Sequence, residues 1–266
     1  MTLRNILLNN PSFTFEKNIF YQKEWGNDLF EKEYIDLRRR ESRVYSDDVV
    51  RNLPDLEEPG SLNVEWLIRK VTVKNLVRYF KKKKDKLMIL ELGCGNGWLA
   101  HQLASSLNAE ILGLDINETE LLQGAALFKN LQNLSFMRAD VFTAAIKKET
   151  FDVILLASSL QYFPNLMELI QRLLELLKPS GEIHIVDSPI YASTVESREA
   201  KNRSHKYFRA KGVPAMANNY FHHTLPELKS FKHRILFNPN SLISIFKRKT
   251  LRIPQSIFPW ILIKHS

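Results

Sequence analysis

The chain has 266 residues, of which 44% are hydrophobic and 25% charged, with a formal net charge of +9. This size and composition fit one α/β domain with an accessory segment, or two small domains. The single cysteine excludes an intrachain disulfide, no apolar run reaches the ~18 residues of a membrane span, and residues 1–10 are too short and polar for a signal peptide, so we expect a cytoplasmic protein.

Residues 1–62 lack a glycine-rich or strand-dense pattern and are predicted to form an N-terminal helical cap over the core, with a linker at 57–60. A basic cluster at 37–45 is either a solvated helix face or a group of side chains that reaches an anionic substrate or a cofactor carboxylate. The main domain is expected at 63–266, beginning with a helix over 63–82.

A lysine run at residues 81–84, followed by Lys86, supplies part of the positive charge. Such a run just before a strand predicts a solvated loop, and contact with nucleic acid or another anionic surface is the alternative. Nucleic acid is not the favoured partner, because the chain carries no zinc-finger, RRM or KH signature.

Residues 87–100 have the pattern around which the chain is organised. An apolar run reaches Glu91 and is followed by Gly93, Gly95 and Gly97, after which an apolar helical pattern begins. The run predicts a buried parallel strand, and the alternating glycines predict a tight turn that can lie against a ligand. The helix that follows would direct its N-terminal N–H groups at that turn.

The spacing G-x-G-x-G differs from the dinucleotide-binding pattern G-x-G-x-x-G. The string ELGCGNGWLA resembles motif I of the class I S-adenosylmethionine (SAM)-dependent methyltransferases, and the ubiquinone/menaquinone-biosynthesis-like group is the nearest. The resemblance covers residues 64–190 well and implies a doubly wound, mostly parallel, seven-stranded Rossmann-like sheet with helices on both faces. It implies that SAM contacts Glu91, Gly93, Cys94, Gly95, Asn96 and Gly97. For Cys94, a small residue filling tight space is favoured over a reactive thiol.

A second buried strand over 110–115 ends in Asp115, 24 positions after Glu91. A carboxylate at about this distance accepts hydrogen bonds from both ribose hydroxyls of an adenosyl cofactor. Asp115, with Ile116 after it, is therefore predicted to bind the cofactor ribose, and a strand-end acid or a helix cap is the alternative.

Two further strands are predicted, over 134–137 and 151–157. In the resembled family an acid after the third strand accepts from the adenine amino group and the next backbone N–H meets the ring, which places Asp140 and Val141 there. A surface Asp at a strand end is the alternative. Ala157 ends the fourth strand and Ser158 follows it, at the sheet edge where α/β sheets bind ligands, so both are predicted to contact the cofactor.

A leucine stripe over 166–177 predicts a helix packed on the sheet, and a strand over 182–187 follows it. Residues 188–230 lack a strand pattern and are predicted to form a lid-like insertion. Closing strands are expected over 231–237 and 258–264.

Candidate catalytic residues are His222 and His223, whose ordinary pKa suits proton removal near neutral pH, and Tyr162, which could orient a substrate. A surface or packing role is the alternative for each histidine. No metal-binding or phosphate-loop motif occurs, so no metal site is predicted.

The resulting hypothesis is SAM-dependent methyl transfer to a small molecule, at an O, N or C nucleophile. An RNA or protein methyltransferase is one alternative, suggested by the positive charge. A SAM-binding protein without turnover is the other, because no acceptor-site motif is recognisable.

Overall fold

The computed structural model describes residues 2–23, 29–56, 61–83, 85–250 and 254–265. The strands within these residues are β1 (Phe13–Glu16), β2 (Ile19–Gln22), β3 (Leu87–Leu92), β4 (Ala109–Asp115), β5 (Leu134–Arg138), β6 (Phe151–Ala157), β7 (Leu177–Val186), β8 (Lys232–Phe237) and β9 (Trp260–Lys264). They form one sheet in the order β1-β2-β5-β4-β3-β6-β7-β9-β8.

Helices follow the central strands β3, β4 and β6, as is typical of an α/β fold, whereas β5 and β6 are joined without a helix. The helices within the described residues are α1 (Leu3–Leu8), α2 (Leu29–Arg40), α3 (Asp47–Asn52), α4 (Ser61–Phe80), α5 (Trp98–Ser106), α6 (Glu118–Leu127), α7 (Leu166–Leu176), α8 (Thr194–Ala210) and α9 (Leu242–Lys249). Short 3-10 turns occur at Leu160–Tyr162, Pro214–Asn219 and Leu225–Ser230.

The five central strands, β5-β4-β3-β6-β7, run parallel to one another. Successive residues of each strand pack on opposite faces of the sheet. Leu90 and Leu112 belong to the apolar cluster that contains α7, whereas Ile89 and Ile111 belong to the cluster that contains α4, α5 and α6. Because both faces are covered, these strands are continuous apolar runs, which is the pattern that made them recognisable in the sequence.

The direction of winding reverses beside β3. The chain proceeds from β3 to β4 and β5 on one side and then crosses to β6 and β7 on the other. The helices that follow these two paired strands, α5 after β3 and α7 after β6, pack on opposite faces of the sheet. A crevice forms between the two connections, which is the usual ligand site of an open α/β sheet.

The predicted doubly wound, mostly parallel sheet is confirmed, but within the described residues it has nine strands and not the seven predicted. The seven expected strands are present, and the two additional ones form a hairpin, β1–β2, that turns at Lys17 and Asn18, both with positive φ. Strand β2 runs parallel to β5 and buries Ile19 and Phe20 almost completely. The N-terminal segment is therefore only partly helical. The reason for the error is length, since strands of four residues carry too little alternation to stand out.

The closing strands agree with the sequence prediction, because β9 lies antiparallel between β7 and β8. The insertion before them consists of α8 and two of the 3-10 turns. The expected linker at 57–60 lies outside the described residues.

Candidate functional site

A cavity of about 310 Å³ lies at the carboxyl ends of β3, β4, β5 and β6, over the crevice where the winding reverses. Its volume is within the range of small-molecule sites. Residues of the core and of the segment before it share the lining, which includes Phe30, Glu31, Tyr34, Arg38, Arg43, Tyr45, Leu53, Glu65, Trp66, Arg69, Glu91, Gly93, Cys94, Gly95, Asn96, Trp98, Asp115, Ile116, Asn117, Glu120, Asp140, Val141, Ala157, Ser158, Ser159, Tyr162, Phe163 and Asn219.

The turn between β3 and α5 forms the floor of the cavity and depends on two glycines. Gly93 and Gly97 have φ of +74° and +71°, in the left-handed region that other residues rarely adopt. A Cβ on Gly93 would lie 2.4 Å from Cβ of Ser159, and one on Gly97 would lie 2.3 Å from the ring of Phe136. Both positions thus exclude a side chain, and of the two glycines Gly93 lines the cavity.

Glu91, on β3, has a carboxylate that is not fully satisfied. Its side chain is buried, and Oε2 finds no hydrogen-bond partner among the described residues. Burial raises the pKa of Glu91 well above its usual range, and the charge of Asp115 adds to the effect. An acceptor buried without a donor costs free energy, so this atom marks a place where a ligand N–H group would be stabilised.

Asp115 ends β4 and is held by the backbone. Its Oδ2 accepts from Gly95 N at 2.7 Å and its Oδ1 accepts from Asn117 N at 2.9 Å. Burial raises the pKa of Asp115 above its usual value, and these two backbone donors offset only part of the rise. The carboxylate is therefore fixed at the cavity wall, and each oxygen retains a lone pair for a ligand hydroxyl.

Helix α2 covers the cavity and contributes polar side chains to it. Arg38 lies 4.8 Å from the centre of the Tyr34 ring and forms an ion pair with Glu41 at 3.3 Å. Tyr34 hydrogen bonds to Glu120 of α6. Burial raises the pKa of Glu120 to about 7, opposed by the charge of Arg38 and assisted by that of Asp115.

A second polar cluster lines the cavity beside α4. Glu65 accepts from Arg43 at 2.8 Å and from Arg69 at 2.9 Å, and the Arg69 guanidinium lies 5.1 Å from the Trp66 ring. Burial alone would raise the pKa of Glu65, but the hydrogen bond from Arg43 and the charge of Arg69 lower it to about 2. Glu65 therefore stays ionised and holds both guanidinium groups at the cavity wall.

Carboxyl groups outnumber guanidinium groups at the cavity. Of the described residues that line it, six carry a carboxyl group and three a guanidinium group: Glu31, Glu65, Glu91, Asp115, Glu120 and Asp140 against Arg38, Arg43 and Arg69. The pKa values of Glu91 and Glu120 are raised by burial, and a bound cation would favour the ionised form of both, so these carboxyl groups favour a ligand with positive charge.

An aromatic wall faces the end of β6. The ring of Tyr162 lies 5.7 Å from Phe30, 5.6 Å from Tyr34 and 5.8 Å from Tyr220, measured between ring centres. Such rings exclude water from the site and offer apolar surface to a bound molecule.

The family of this chain is shown by its similarity to known proteins. A family model described as "Methyltransferase domain" matches residues 83–238, more than half of the chain. The chain belongs to the methyltransferase-domain family.

Individual relatives of this methyltransferase domain are distant. The chain is 27% identical over 119 residues to the demethylmenaquinone methyltransferase of Lactococcus lactis, covering 41% of this chain and 47% of that protein. It is 33% identical over 98 residues to the trans-aconitate 2-methyltransferase of Deinococcus radiodurans, covering 36% of each. The chain thus spans at most about half of these relatives.

A solved structure supports the fold. The crystal structure of a putative S-adenosyl-L-methionine-dependent methyltransferase from Methanococcus maripaludis superimposes with a TM-score of 0.52 at 14% identity. The alignment covers 91% of this chain and 97% of that one. At this identity the match establishes the fold alone.

The methyltransferase domain brings most of the residues predicted to bind a cofactor to one cavity. Glu91, Gly93, Cys94, Gly95, Asn96, Asp115, Ile116, Asp140, Val141, Ala157 and Ser158 all line it. Gly97 lies beneath the turn instead, as the residue before α5. Their position around one cavity is consistent with cofactor binding, and their role in binding stays a prediction.

The predicted catalytic residues divide into two groups. Tyr162 lines the cavity, whereas His222 and His223 do not, so the structure does not bring either histidine into this cavity and their catalytic role stays a prediction. His223 Nε2 lies 2.8 Å from the carbonyl oxygen of Phe163, and His222 Nε2 lies 2.9 Å from Oγ of Ser204. Burial lowers the pKa of His222 to about 4, and Lys201 adds to the effect.

The residues that sequence reasoning missed lie on α2 and α4. Tyr34, Arg38, Glu65 and Arg69 line the cavity although no motif marks them. The basic cluster at 37–45 is the one sequence feature that pointed to some of them. Arg38 and Arg43 of this cluster line the cavity, whereas Arg39 and Arg40 are exposed.

Within the part of the chain that the structure describes, no helix has both the length and the apolar character that a membrane crossing demands.

Proposed function

We propose that this chain is a SAM-dependent methyltransferase that acts on a small-molecule acceptor. The observation that carries the proposal is the cavity itself. It unites a glycine turn, a strand-end aspartate and a buried carboxylate with a free acceptor atom, at the sheet edge where α/β folds bind cofactors.

The residues fit SAM in charge and in hydrogen bonding. Under this proposal Glu91 accepts from the ammonium group, which satisfies Oε2. Asp115 accepts from the ribose hydroxyls, and Asp140 and Val141 meet the adenine ring. The excess of carboxyl groups suits a cationic sulfonium, whose methyl is already activated for transfer.

The chain's own contribution is binding, orientation and exclusion of water. Tyr34 and Arg38, on the covering helix α2, and Tyr162, just after β6, line the cavity, so we assign them to the acceptor side. We propose that residues 63–266 form the catalytic domain, with the N-terminal segment and the 188–230 insertion enclosing the cavity. This enclosure favours a small acceptor over a macromolecule.

Binding is tested first, by isothermal titration with SAM and with its demethylated product. Transfer is then tested with tritium-labelled SAM and a cell extract separated into small molecules, RNA and protein. Label in the small-molecule fraction supports the proposal. Label only in RNA or protein would show that the acceptor is a macromolecule and not a small molecule. Binding of SAM without any transfer would show that the chain is a SAM-binding protein without turnover.

We also propose the cytoplasm as the compartment, because the only cysteine is buried in the glycine turn and requires no oxidising environment. Fractionation of cells that express the tagged chain tests this.

A further inference from the structure

The connection between β8 and β9 lies at the same edge of the sheet as the cavity. Phe237, at the end of β8, pairs with Trp260, at the start of β9, and Ile185, near the end of β7, pairs with Ile261. The 238–259 connection therefore begins and ends at the edge where the parallel strands end. Ser256 within it hydrogen bonds to the side chain of Asp187, whose carbonyl accepts from the cavity residue Ser158.

Helix α9, in this connection, presents its apolar side to solvent. Leu242 is 86% exposed, Ile243 69% and Phe246 56%, and these three side chains share one face of the helix. Ser244, on the opposite face, is buried. A surface helix ordinarily turns its apolar stripe inward, so the orientation of α9 is reversed. Ile257, in the same connection, is 62% exposed and adds to the apolar surface.

The apolar face is flanked by positive charge. Lys247 and Lys249 are exposed on either side of it, and Arg248 precedes the second of them. The sequence from residue 228 to residue 266 contains eight lysines and arginines and neither aspartate nor glutamate. A helix with apolar residues on one face and lysines at its borders has the character of a segment that lies in the interface of an anionic membrane.

We propose that α9 and Ile257 dock this protein onto an anionic phospholipid surface, with the apolar side chains in the acyl boundary and the lysines at the headgroups. A second copy of the chain is the less suitable occupant, because pairing this face with itself would bring two acid-free basic segments together. Docking through α9 brings the cavity edge of the sheet toward the bilayer. The inference is independent of the methyl-transfer proposal, since it concerns adsorption alone.

The test is co-sedimentation of the full chain with vesicles of equal parts phosphatidylcholine and phosphatidylglycerol, and with phosphatidylcholine alone. We expect binding to the anionic vesicles and about a tenfold lower partition coefficient for the double variant L242S/F246S. The variant K247E/K249E should lose a comparable factor on anionic vesicles and show weaker dependence on salt. The matched control is M167S, which removes a half-exposed apolar side chain from α7 and should bind as the unaltered chain does.

Circular dichroism and thermal unfolding establish that the variants fold, which we expect because the changed side chains are exposed. The variant F246W gives a second measurement, since its fluorescence should shift to the blue when anionic vesicles are added. Absence of vesicle binding by the unaltered chain, or equal binding by L242S/F246S and M167S, would overturn the proposal. So would a dimer, seen by sedimentation velocity, that L242S/F246S abolishes without any vesicle binding.

Discussion

Replacement of Asp115 by alanine is the most direct test of the cofactor site. The Asp115 carboxylate is fixed by backbone N–H groups at 2.7 and 2.9 Å, so it meets a ribose diol without reorganisation. Each charge-assisted hydrogen bond contributes roughly 1.5–3 kcal/mol. Loss of two, counted at the low end because the buried carboxyl has a raised pKa, is about 3 kcal/mol, or on the order of a hundredfold in the dissociation constant of SAM.

The control for this experiment is D152A. Asp152 also stands on a strand, accepts from the backbone N–H of Met88 at 2.8 Å and pairs with Lys178 at 2.9 Å, but it lies at the opposite end of its strand from the cavity. We expect both variants to lose stability in thermal unfolding and only D115A to lose affinity in isothermal titration. The reasoning is refuted if D115A binds SAM within about threefold of the unaltered chain.

Three other predictions follow from the same region. Because burial raises the pKa of Glu120 to about 7, binding of cationic SAM near pH 7 should release a fraction of a proton from this group, measured by titration in buffers of different ionisation enthalpy. The variant E120Q should release fewer protons than the unaltered chain, and equal release from both proteins would contradict the prediction. The variant G97A should lower the free energy of unfolding by about 2 kcal/mol or more, because its Cβ would lie 2.3 Å from the Phe136 ring at a φ of +71°. The control A126G, on the exposed side of α6, should lower it by about 1 kcal/mol. A smaller loss for G97A than for A126G in urea unfolding would show that the turn relaxes. The lowered pKa of Glu65 contributes stability that is complete above pH 4.5 and is lost as the pH falls toward about 2. The free energy of unfolding should therefore fall less steeply with acidification in E65Q than in the unaltered chain. An unchanged pH dependence in E65Q would refute the ionised, ion-paired state of Glu65.

The core of the fold could be predicted because each of its strands carries a local signal. Strand β6 matches the predicted 151–157 residue for residue, since its apolar run is bounded on both sides by polar residues. Helix α4 shows the limit of such signals. It begins at Ser61, two residues before the predicted start at residue 63. The ends of a helix are only weakly marked in the hydrophobic pattern, so its boundaries are the least predictable part.

The cofactor side of the cavity was predictable for the same reason, since its residues follow strand ends in fixed order. The acceptor side was not. Tyr34 and Arg38 reach the cavity only because α2 lies across it, which depends on tertiary packing. The ordinary pKa of His222 and His223 can be read from the sequence, but their position outside the cavity depends on tertiary packing. Side chains that a fold brings together from distant elements carry no spacing rule.

The nine-stranded sheet has a practical consequence for anyone who trims this protein. The span shared with the family, residues 83–238, ends just after β8, yet β8 joins the sheet through β9, which comes more than twenty residues later. A fragment cut to that span would release β8 and bare the edge of β7, while removal of the first hairpin would bare β5. Uncovered strand edges recruit other chains, so such a fragment should aggregate where the full chain does not.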